Sequence, residues 1–327
     1  MTSPGAPGPT AEPGPEDHPP LARSTLDRAA HRRTDQRWLA EAWQRARVLV
    51  VDVAAGGRTL VGPSTDKPEL VLFGPENVPP NDPEARLFLG VEPDGVPVFA
   101  VDTPLPTVEG ARPAGLREIG HLLSDRDAGL LTTAIALSNW HARHPYSSVT
   151  GLPTTIGDAG WTRRDEAGQQ LWPRTDPAMI VLVHDGVPGP EGRCLLGNNA
   201  AWRASEGVRR FSCLAGYVEP GESAEDAVLR EVTEEVGLVP HHIGYVASQA
   251  WPFPGSLMLG FSALADPDRP LRLDPEEIAH AGWFTRRDIG AVLAGGRVEV
   301  GEGLRLGLPP PSSIALFLIR RWLDEAR

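Results

Sequence analysis

The stretch GYVEPGESAEDAVLREVTEEVGL, residues 216–238, restricts how this chain can fold more than any other part of it. Ser223 is a good N-cap, and Gly237 stands where a left-handed residue usually ends a helix. Three aliphatic residues between these caps repeat at helical spacing and predict the buried face: Leu229, Val232 and Val236. The stretch therefore predicts a capped amphipathic helix, although it carries six glutamates in a chain of formal net charge −12.

Three of those glutamates, Glu231, Glu234 and Glu235, lie at positions i, i+3 and i+4. At about 100° per residue they fall on one arc beside the predicted buried face, where like charges repel each other. Mg²⁺ and Mn²⁺ bind hard oxygen ligands of this kind and leave positions for water and substrate phosphate. The spacing therefore favours a metal site, with a solvated helical face as the alternative.

Gly216, Glu222 and residues 230–238 match every specified position of the pattern G-x5-E-x7-R-E-U-x-E-E-x-G-U, where U is aliphatic. The stretch therefore resembles the Nudix box. The resemblance implies an α/β fold, the Nudix α/β/α sandwich, in which a mixed sheet lies between helices. It also implies metal-dependent hydrolysis of a nucleoside diphosphate that is linked to another group.

The same resemblance implies roles for the charged residues of the box. Glu231, Glu234 and Glu235 are expected to hold two or three Mg²⁺ or Mn²⁺ ions, and Glu222 is expected to support that metal site. Arg230 is expected to orient the glutamates through charge-assisted hydrogen bonds. Either Glu234 or Glu277 is expected to take the proton of the attacking water, and the sequence does not choose between them.

A second unusual stretch, SQAWPFPGSLM, spans residues 248–258. Its two prolines exclude a central strand and predict a rigid loop that displays Trp251 and Phe253, with a hydrophobic plug as the alternative. The stretch is similar to the SQPWPFPxS signature of NADH pyrophosphatases, a Nudix subfamily whose members also act on NAD-capped RNA. Ala250 replaces the first proline of that signature, from which we expect a slightly looser loop.

Further matches extend this resemblance over nearly the whole chain after residue 25. Glu277 matches an additional metal-binding carboxylate, and residues 309–315 resemble a PPP-x-x-x-A segment whose alanine lies against the nucleotide. The substrate-binding residues implied by the resemblance are Tyr217, Trp172, Trp251, Phe253, Ser256, Met258 and Ala315. Each of them alone is also compatible with an ordinary core position.

The length of 327 residues predicts about two domains. Composition and patterning divide the chain as follows: a disordered Pro/Gly-rich tail over 1–24, a β-rich domain over 25–145, a linker over 146–175 and the Nudix domain over 176–327. The β-rich domain reads as antiparallel, and a helix is predicted from Asp125. The two halves share a β-rich texture, which leaves an old duplication open.

The linker is where the subfamily usually carries a four-cysteine zinc ribbon. Here it contains no cysteine, and Ser147 stands about where the first ligand belongs. The chain has only Cys194 and Cys213, too few for a thiolate zinc site. We therefore expect a degenerate ribbon without zinc, held by packing around Trp161 and by hydrogen bonds in its turns.

The acidic charge disfavours non-specific attraction to nucleic acid or to an anionic membrane. No run approaches the ~18 apolar residues of a membrane span, and no secretory signal is evident, so a cytoplasmic location is expected. The resemblance favours a homodimer with its sites near the interface. Four arginines form either a rim for RNA or ordinary solvated charges: Arg209, Arg210, Arg286 and Arg287.

Together these features predict hydrolysis of the pyrophosphate of NADH or NAD⁺ to nicotinamide mononucleotide and AMP, with removal of NAD caps from RNA as a related activity. One alternative is a Nudix enzyme for another substrate, such as ADP-ribose. A second is a non-catalytic Nudix-fold sensor, against which the intact glutamates speak. The sequence does not choose among NADH, NAD⁺ and capped RNA, or between Mg²⁺ and Mn²⁺.

Overall fold

The structure is a computed structural model that describes residues 18–325. Over those residues the chain forms two larger mixed sheets and a small three-stranded sheet between them in sequence. Within the described part, no helix is both long and apolar enough to cross a membrane.

The first mixed sheet is built by β1 Arg47–Asp52, β2 Arg58–Val61, β3 Leu72–Phe73, β4 Leu87–Val91, β5 Pro97–Asp102 and β6 Arg112–Gly115. Its order is β4-β5-β1-β2-β6, and β3 also pairs with β1. Strand β1 runs parallel to β5, whereas every other named pair in this sheet is antiparallel. The expectation of an antiparallel domain is therefore wrong at the centre of the sheet.

Three helices accompany this sheet: α1 Gln36–Trp43, α2 Leu116–Ile119 and α3 Asp125–Arg143. The predicted helix from Asp125 is α3, and Ser124 caps it by accepting the backbone N–H of Asp127. The apolar residues of α3 are buried against the side chains of β1 and β4, which forms one hydrophobic core. Short 3₁₀ turns complete the unit at Ala30–Arg32, Pro75–Asn77 and Pro83–Ala85.

The segment before this sheet is packed from residue 18 onward. Leu21 is buried, and its backbone N–H donates to the side chain of Gln249 at 3.0 Å. Arg23 pairs with Asp125 at 2.6 Å. The expected disorder of residues 1–24 is therefore wrong for residues 18–24, because Leu21 and Arg23 find partners in the folded units; residues 1–17 lie outside the described part.

The linker forms strands β7 Thr154–Gly157, β8 Thr162–Asp165 and β9 Gln170–Leu171, with a 3₁₀ turn at Asp158–Gly160. Ser147 is buried, and its hydroxyl accepts backbone N–H groups from Val149 and Thr150. The Thr150 hydroxyl donates to the carboxylate of Asp165 at 2.5 Å. Trp161 donates its indole N–H to the Phe88 carbonyl at 2.7 Å. Turn hydrogen bonds and Trp161 packing thus hold this segment.

The second mixed sheet contains β10 Asp176–His184, β11 Arg193–Asn199, β13 Leu214–Tyr217, β14 His241–Trp251, β15 Ser256–Leu264 and β16 Ile278–Thr285. The remaining two strands, β12 Val208–Arg210 and β17 Arg305–Gly307, form a separate two-stranded sheet. The order of the second mixed sheet is β14-β15-β10-β11-β16, with β13 on β10 and a parallel pair between β10 and β15. Three helices belong to this unit: α4 Ala224–Val236, α5 Arg286–Leu293 and α6 Ile314–Asp324.

The second sheet is covered on both faces, as the Nudix sandwich requires. Along β10, Met179 and Val181 pack with the buried residues of α4, whereas Ile180 and Leu182 pack with those of α6. This alternation is the period of two that a strand buried on both faces shows. The predicted α/β/α arrangement is confirmed, and the sheet fixes α4 on one of its faces.

Candidate active site

Helix α4 has the predicted caps, and its buried face contains Val232 and Val236 as predicted but not Leu229. Ser223 accepts the N–H of Asp226, and Gly237 ends the helix with φ 72°. Leu229 is 39% exposed, so the prediction that it belongs to the buried stripe is wrong. Instead Glu231 and Glu235 are buried, at 8% and 5% exposure, because they share the inward face with Val228, Val232 and Val236.

Two glutamates of α4 meet a third from a distant part of the chain. Glu231, Glu235 and Glu277 each offer a carboxylate oxygen, and these oxygens lie within 4.8 Å of one another. Glu277 comes directly before β16, the strand at one edge of the sheet. The structure thus joins three of the predicted metal ligands, which we name the carboxylate cluster.

Arg230 holds the outer carboxylates in place. Its guanidinium donates to Glu222 at 2.8 Å, to Glu231 at 2.9 Å and to Glu234 at 3.1 Å. A further N–H donates to the carbonyl of Tyr217 at 3.0 Å. These hydrogen bonds raise the pKa of Arg230, chiefly through Glu222. Glu222 and Glu234 therefore surround Arg230 and lie outside the carboxylate cluster.

Gly216 is required because the Glu231 side chain lies directly over it. A Cβ atom on Gly216 would stand 1.9 Å from one carboxylate oxygen of Glu231, far inside van der Waals contact. Gly221, in the loop that leads into α4, has φ +91°, a backbone conformation that residues other than glycine rarely adopt. Gly216 and Gly221 thus serve the placement of the helix and of its carboxylates.

The electrostatics of the carboxylate cluster fit a divalent cation. Burial raises the pKa of Glu235 to about 8, and the nearby carboxylates of Glu231 and Glu277 add to that shift. Burial also raises the pKa of Glu231, against the opposing effect of Arg230. One carboxylate oxygen of Glu235 is buried and has no hydrogen-bond partner in the described part of the chain. Such an orphaned oxygen beside two further carboxylates is the donor set that Mg²⁺ or Mn²⁺ prefers.

A cavity of about 390 Å³ adjoins the carboxylate cluster through Glu235. Trp251, the last residue of β14, and Met258, near the start of β15, contribute to its wall. Apolar residues from the sheet and from the start of α6 line the interior, among them Ile180, Leu214 and Ile314. An apolar cavity beside a polar cluster can bury an aromatic ring while its phosphates face the carboxylates.

The other predicted substrate-binding residues take different places. The Tyr217 hydroxyl lies 3.2 Å from the Ser256 hydroxyl, so these two are joined. Trp172 is 65% exposed and Ala315 is only 1% exposed, and neither lines the cavity. Phe253 packs against the N-terminal core rather than being displayed, with the guanidinium of Arg117 lying 4.1 Å from its ring centroid.

Some residues at the cavity were not found from the sequence. Asn199 ends β11, Trp202 lies in the loop that follows it, and Arg117 reaches the cavity from the N-terminal unit. No motif marks these positions. Asn199 and Trp202 reach the cavity through the folding of the C-terminal unit, and Arg117 reaches it through the packing of the N-terminal unit on that unit. Of the four arginines considered as a rim, only Arg210 lines the cavity. The other three are bound to carboxylates or carbonyls elsewhere: Arg209 to Glu302, Arg286 to Val187 and Arg287 to Glu191.

Two family models match this chain, one over each mixed-sheet unit. Residues 174–304 match the model of the NUDIX domain. Residues 37–140 match the NADH pyrophosphatase-like rudimentary NUDIX domain.

Relatives align over much of the chain. The NAD-capped RNA hydrolase NudC of Mycobacterium tuberculosis is 40% identical over 317 residues, which cover 93% of this chain and 94% of the relative. The human NAD-capped RNA hydrolase NUDT12 is 37% identical over 212 residues, covering 62% of this chain and 43% of the human protein. Among solved structures, a NUDIX hydrolase from Nitrosomonas europaea is 23% identical with a TM-score of 0.32, covering 47% of this chain and 92% of that one.

The Nudix box is thus intact, two of its glutamates converge with Glu277, and the alignment with curated relatives extends well beyond the box into the N-terminal unit. The chain belongs to the Nudix hydrolase family, in the branch that joins a Nudix domain to an NADH pyrophosphatase-like rudimentary Nudix domain.

Proposed function

We propose that this enzyme hydrolyses the pyrophosphate bond of NADH or NAD⁺ to nicotinamide mononucleotide and AMP, and removes NAD caps from RNA by the same cleavage. The observation that carries the proposal is the carboxylate cluster beside an apolar cavity. The cluster suits a pyrophosphate with its cations, and the cavity suits a planar ring. The names of the aligned relatives support the choice of an NAD-containing substrate.

Glu231, Glu235 and Glu277 would hold Mg²⁺ or Mn²⁺. Such ions supply charge neutralisation at the pyrophosphate and a lowered pKa of a bound water. Arg230 fixes the position of Glu231 through its 2.9 Å hydrogen bond and keeps Glu222 and Glu234 beside it. Glu234 is an exposed carboxylate, so it is available to take a proton from water; Glu277 remains the other candidate for that role.

The aromatic and hydroxyl groups around the cluster bind the ends of the substrate in this proposal. Tyr217 follows Gly216, over which the Glu231 carboxylate lies, and the Tyr217 hydroxyl is anchored to Ser256. Trp251 and Met258 supply the cavity wall. Because none of these groups carries charge, they give specificity for rings and leave the chemistry to the carboxylates.

The proposal extends to domains, assembly and compartment. The division at residues 25–145, 146–175 and 176–327 follows the three sheets along the chain. A homodimer is proposed because Trp172 and Tyr217 are large aromatic residues with 65% and 56% exposure, which a second copy can cover. A cytoplasmic location is supported by two buried, unpaired thiols, Cys194 and Cys213.

Incubation of the purified protein with NADH and Mg²⁺ or Mn²⁺, followed by chromatography of both products, tests the proposed reaction. We expect reduced nicotinamide mononucleotide and AMP in equal amounts, and neither product in EDTA. Parallel reactions with NAD⁺, NAD-capped RNA and ADP-ribose rank the substrates by kcat/KM. Faster hydrolysis of ADP-ribose would contradict the assignment, and NADH binding without any metal-dependent product would indicate a sensor.

A further inference from the structure

Trp202 is a large aromatic residue that the structure leaves open at the edge of the cavity. It lies in the loop between β11 and β12, is 40% exposed and lines the same cavity as Glu235. Exposing a large aromatic ring to water is unfavourable. A tryptophan that stays exposed at the border of a site therefore offers a flat face on which a planar ring can stack. Trp202 is not part of the Nudix box or of the SQAWPFPGSLM stretch.

A cation lies beside this tryptophan. The guanidinium of Arg210 stands 6.0 Å from the Trp202 ring centroid, at the outer limit of a cation–π contact. Arg210 also lines the cavity and, within residues 18–325, has no carboxylate within ion-pair distance. Its neighbour Arg209, by contrast, pairs with Glu302 at 2.7 Å. An aromatic face next to an uncompensated guanidinium is the combination that binds a base together with its phosphate.

The loop that carries Trp202 is attached to the carboxylate cluster. The backbone N–H of Ala200 donates to the carbonyl of Glu277 at 2.7 Å. Tyr217 is linked to a different member of the cluster, because Arg230 donates both to the Tyr217 carbonyl at 3.0 Å and to the Glu231 carboxylate at 2.9 Å. The structure therefore provides two aromatic residues near the cluster, each connected through a different glutamate, for the two halves of a dinucleotide.

In the oxidised substrates, NAD⁺ and the NAD cap of RNA, the charge of the two rings indicates which half of the dinucleotide lies against which residue. The nicotinamide ring of NAD⁺ carries a positive charge, which the guanidinium beside Trp202 repels. Adenine is neutral and electron-rich, and stacks on an aromatic face or a guanidinium plane without that penalty. No arginine among the described residues lies within cation–π distance of Tyr217.

We propose that Trp202 and Arg210 form an adenine-nucleotide platform, in which Trp202 stacks on the adenine and Arg210 binds the phosphate side of the adenosine half. This assignment rests on the proposed function and names which half of the dinucleotide lies where. The platform serves NADH and capped RNA alike, because both contain the same adenosine.

Binding of the two reaction products, measured by calorimetry in the presence of Mg²⁺, tests the platform without any turnover. AMP and nicotinamide mononucleotide each carry one phosphate, so they differ chiefly in the ring. We expect W202A to weaken AMP binding by about 5- to 100-fold and W202F to stay near wild type. R210Q should weaken AMP binding by up to about fivefold, because exposed ion pairs are weak.

Arg203 supplies the matched control, since it is exposed, adjacent to Trp202 and absent from the cavity lining. R203Q should bind both products as wild type does, and nicotinamide mononucleotide should bind W202A with unchanged affinity. No AMP binding by wild type, wild-type AMP affinity in W202A, or an equal loss for both products would overturn the platform. Absence of NADH hydrolysis by the wild-type enzyme would instead overturn the proposed function, whatever the titrations show.

Discussion

The two mixed sheets of this chain have the same pattern of strand pairing. In each, a central strand pairs antiparallel with two strands on one side and parallel with one on the other, as β1 and β10 show. The outer pairs also correspond, since β4 lies on β5 as β14 lies on β15, and β6 lies on β2 as β16 lies on β11. The N-terminal unit is therefore a second copy of the sheet, which favours the duplication that the sequence left open.

The copies differ between their third and fourth strands. In the C-terminal unit this segment contains α4 with its glutamates, whereas residues 74–86 of the N-terminal unit contain only 3₁₀ turns. Their buried carboxylates differ as well. Glu92 is 5% exposed and forms ion pairs with Arg47 and Arg126, whereas Glu235 is equally buried and has no cationic partner within residues 18–325. The N-terminal sheet thus forms without a counterpart of α4, and in our proposal the uncompensated carboxylate of Glu235 serves metal binding rather than stability.

The largest expected effect is the loss of activity on changing a carboxylate of α4. E235Q should lower kcat for NADH by about 10²- to 10³-fold, because the site loses a charge that the divalent cation requires. Initial rates with saturating Mg²⁺ measure this. E225Q is the matched control, since Glu225 is exposed in the first turn of the same helix, and it should retain wild-type activity. Equal rates in E235Q and E225Q would contradict the role of the cluster.

The second effect is a stability penalty that depends on pH in metal-free enzyme. Glu235 has a pKa of about 8 when folded and 4.5 as its ordinary value, so the folded state retains a proton that the unfolded state loses. The free energy of unfolding should therefore fall as pH rises from 4.5 to 8, by a few kcal/mol. Denaturant titrations in EDTA at pH 5, 6.5 and 8 measure the difference between wild type and E235Q.

E235Q should lack that component of the pH dependence and should be more stable than metal-free wild type at pH 8. Mg²⁺ should restore much of the wild-type stability at pH 8, because the cation replaces the missing positive charge. Parallel pH profiles for the two proteins would show that Glu235 does not titrate in this range.

The third prediction makes the matching substitution in the other sheet. E92Q should lower the free energy of unfolding by about 2 kcal/mol, because it leaves Arg47 and Arg126 without their shared carboxylate; both arginines are partly exposed, which limits the cost. Denaturant titration at pH 8 in EDTA should therefore give opposite signs for E92Q and E235Q. If both variants were stabilised, the contrast between the two sheets would fail.

The smallest effect concerns the contact between the units. Asn139 of α3 donates to the Pro252 carbonyl at 2.7 Å. This bond holds the β14–β15 loop next to Trp251, which lines the cavity. N139A should raise KM for NADH about threefold to tenfold, from loss of about 1 kcal/mol of positioning, while kcat changes little. R143Q is the matched control, because Arg143 is an exposed residue of the same helix. S138A is unsuitable because Ser138 is buried.

The sequence predicted the helix, its caps and the α/β/α layers because local patterns determine them. Ser223, Gly237 and the alternation along β10 all act within one element. It erred on Leu229, since a stripe of three aliphatic residues fits more than one helical face and only the opposing sheet selects one.

Contacts between distant elements were harder to predict. Glu277 was assigned from family resemblance, and the geometry then placed it with Glu231 and Glu235. Glu234, equally expected as a ligand, is exposed and bonded to Arg230. Trp202 and Arg117 carry no motif and reach the cavity only because a loop and a second unit fold against it. Contacts between residues that are far apart in the sequence leave no local sequence pattern, so such positions cannot be predicted from spacing.

Titration of the metal-free protein with Mn²⁺, followed by the electron paramagnetic resonance signal of the free ion, tests the carboxylate cluster most directly. Wild type and E225Q should deplete that signal with the same affinity, whereas E231Q, E235Q and E277Q should each bind Mn²⁺ at least about tenfold more weakly. Wild-type Mn²⁺ affinity in E235Q would contradict the claim that these three carboxylates hold the cation.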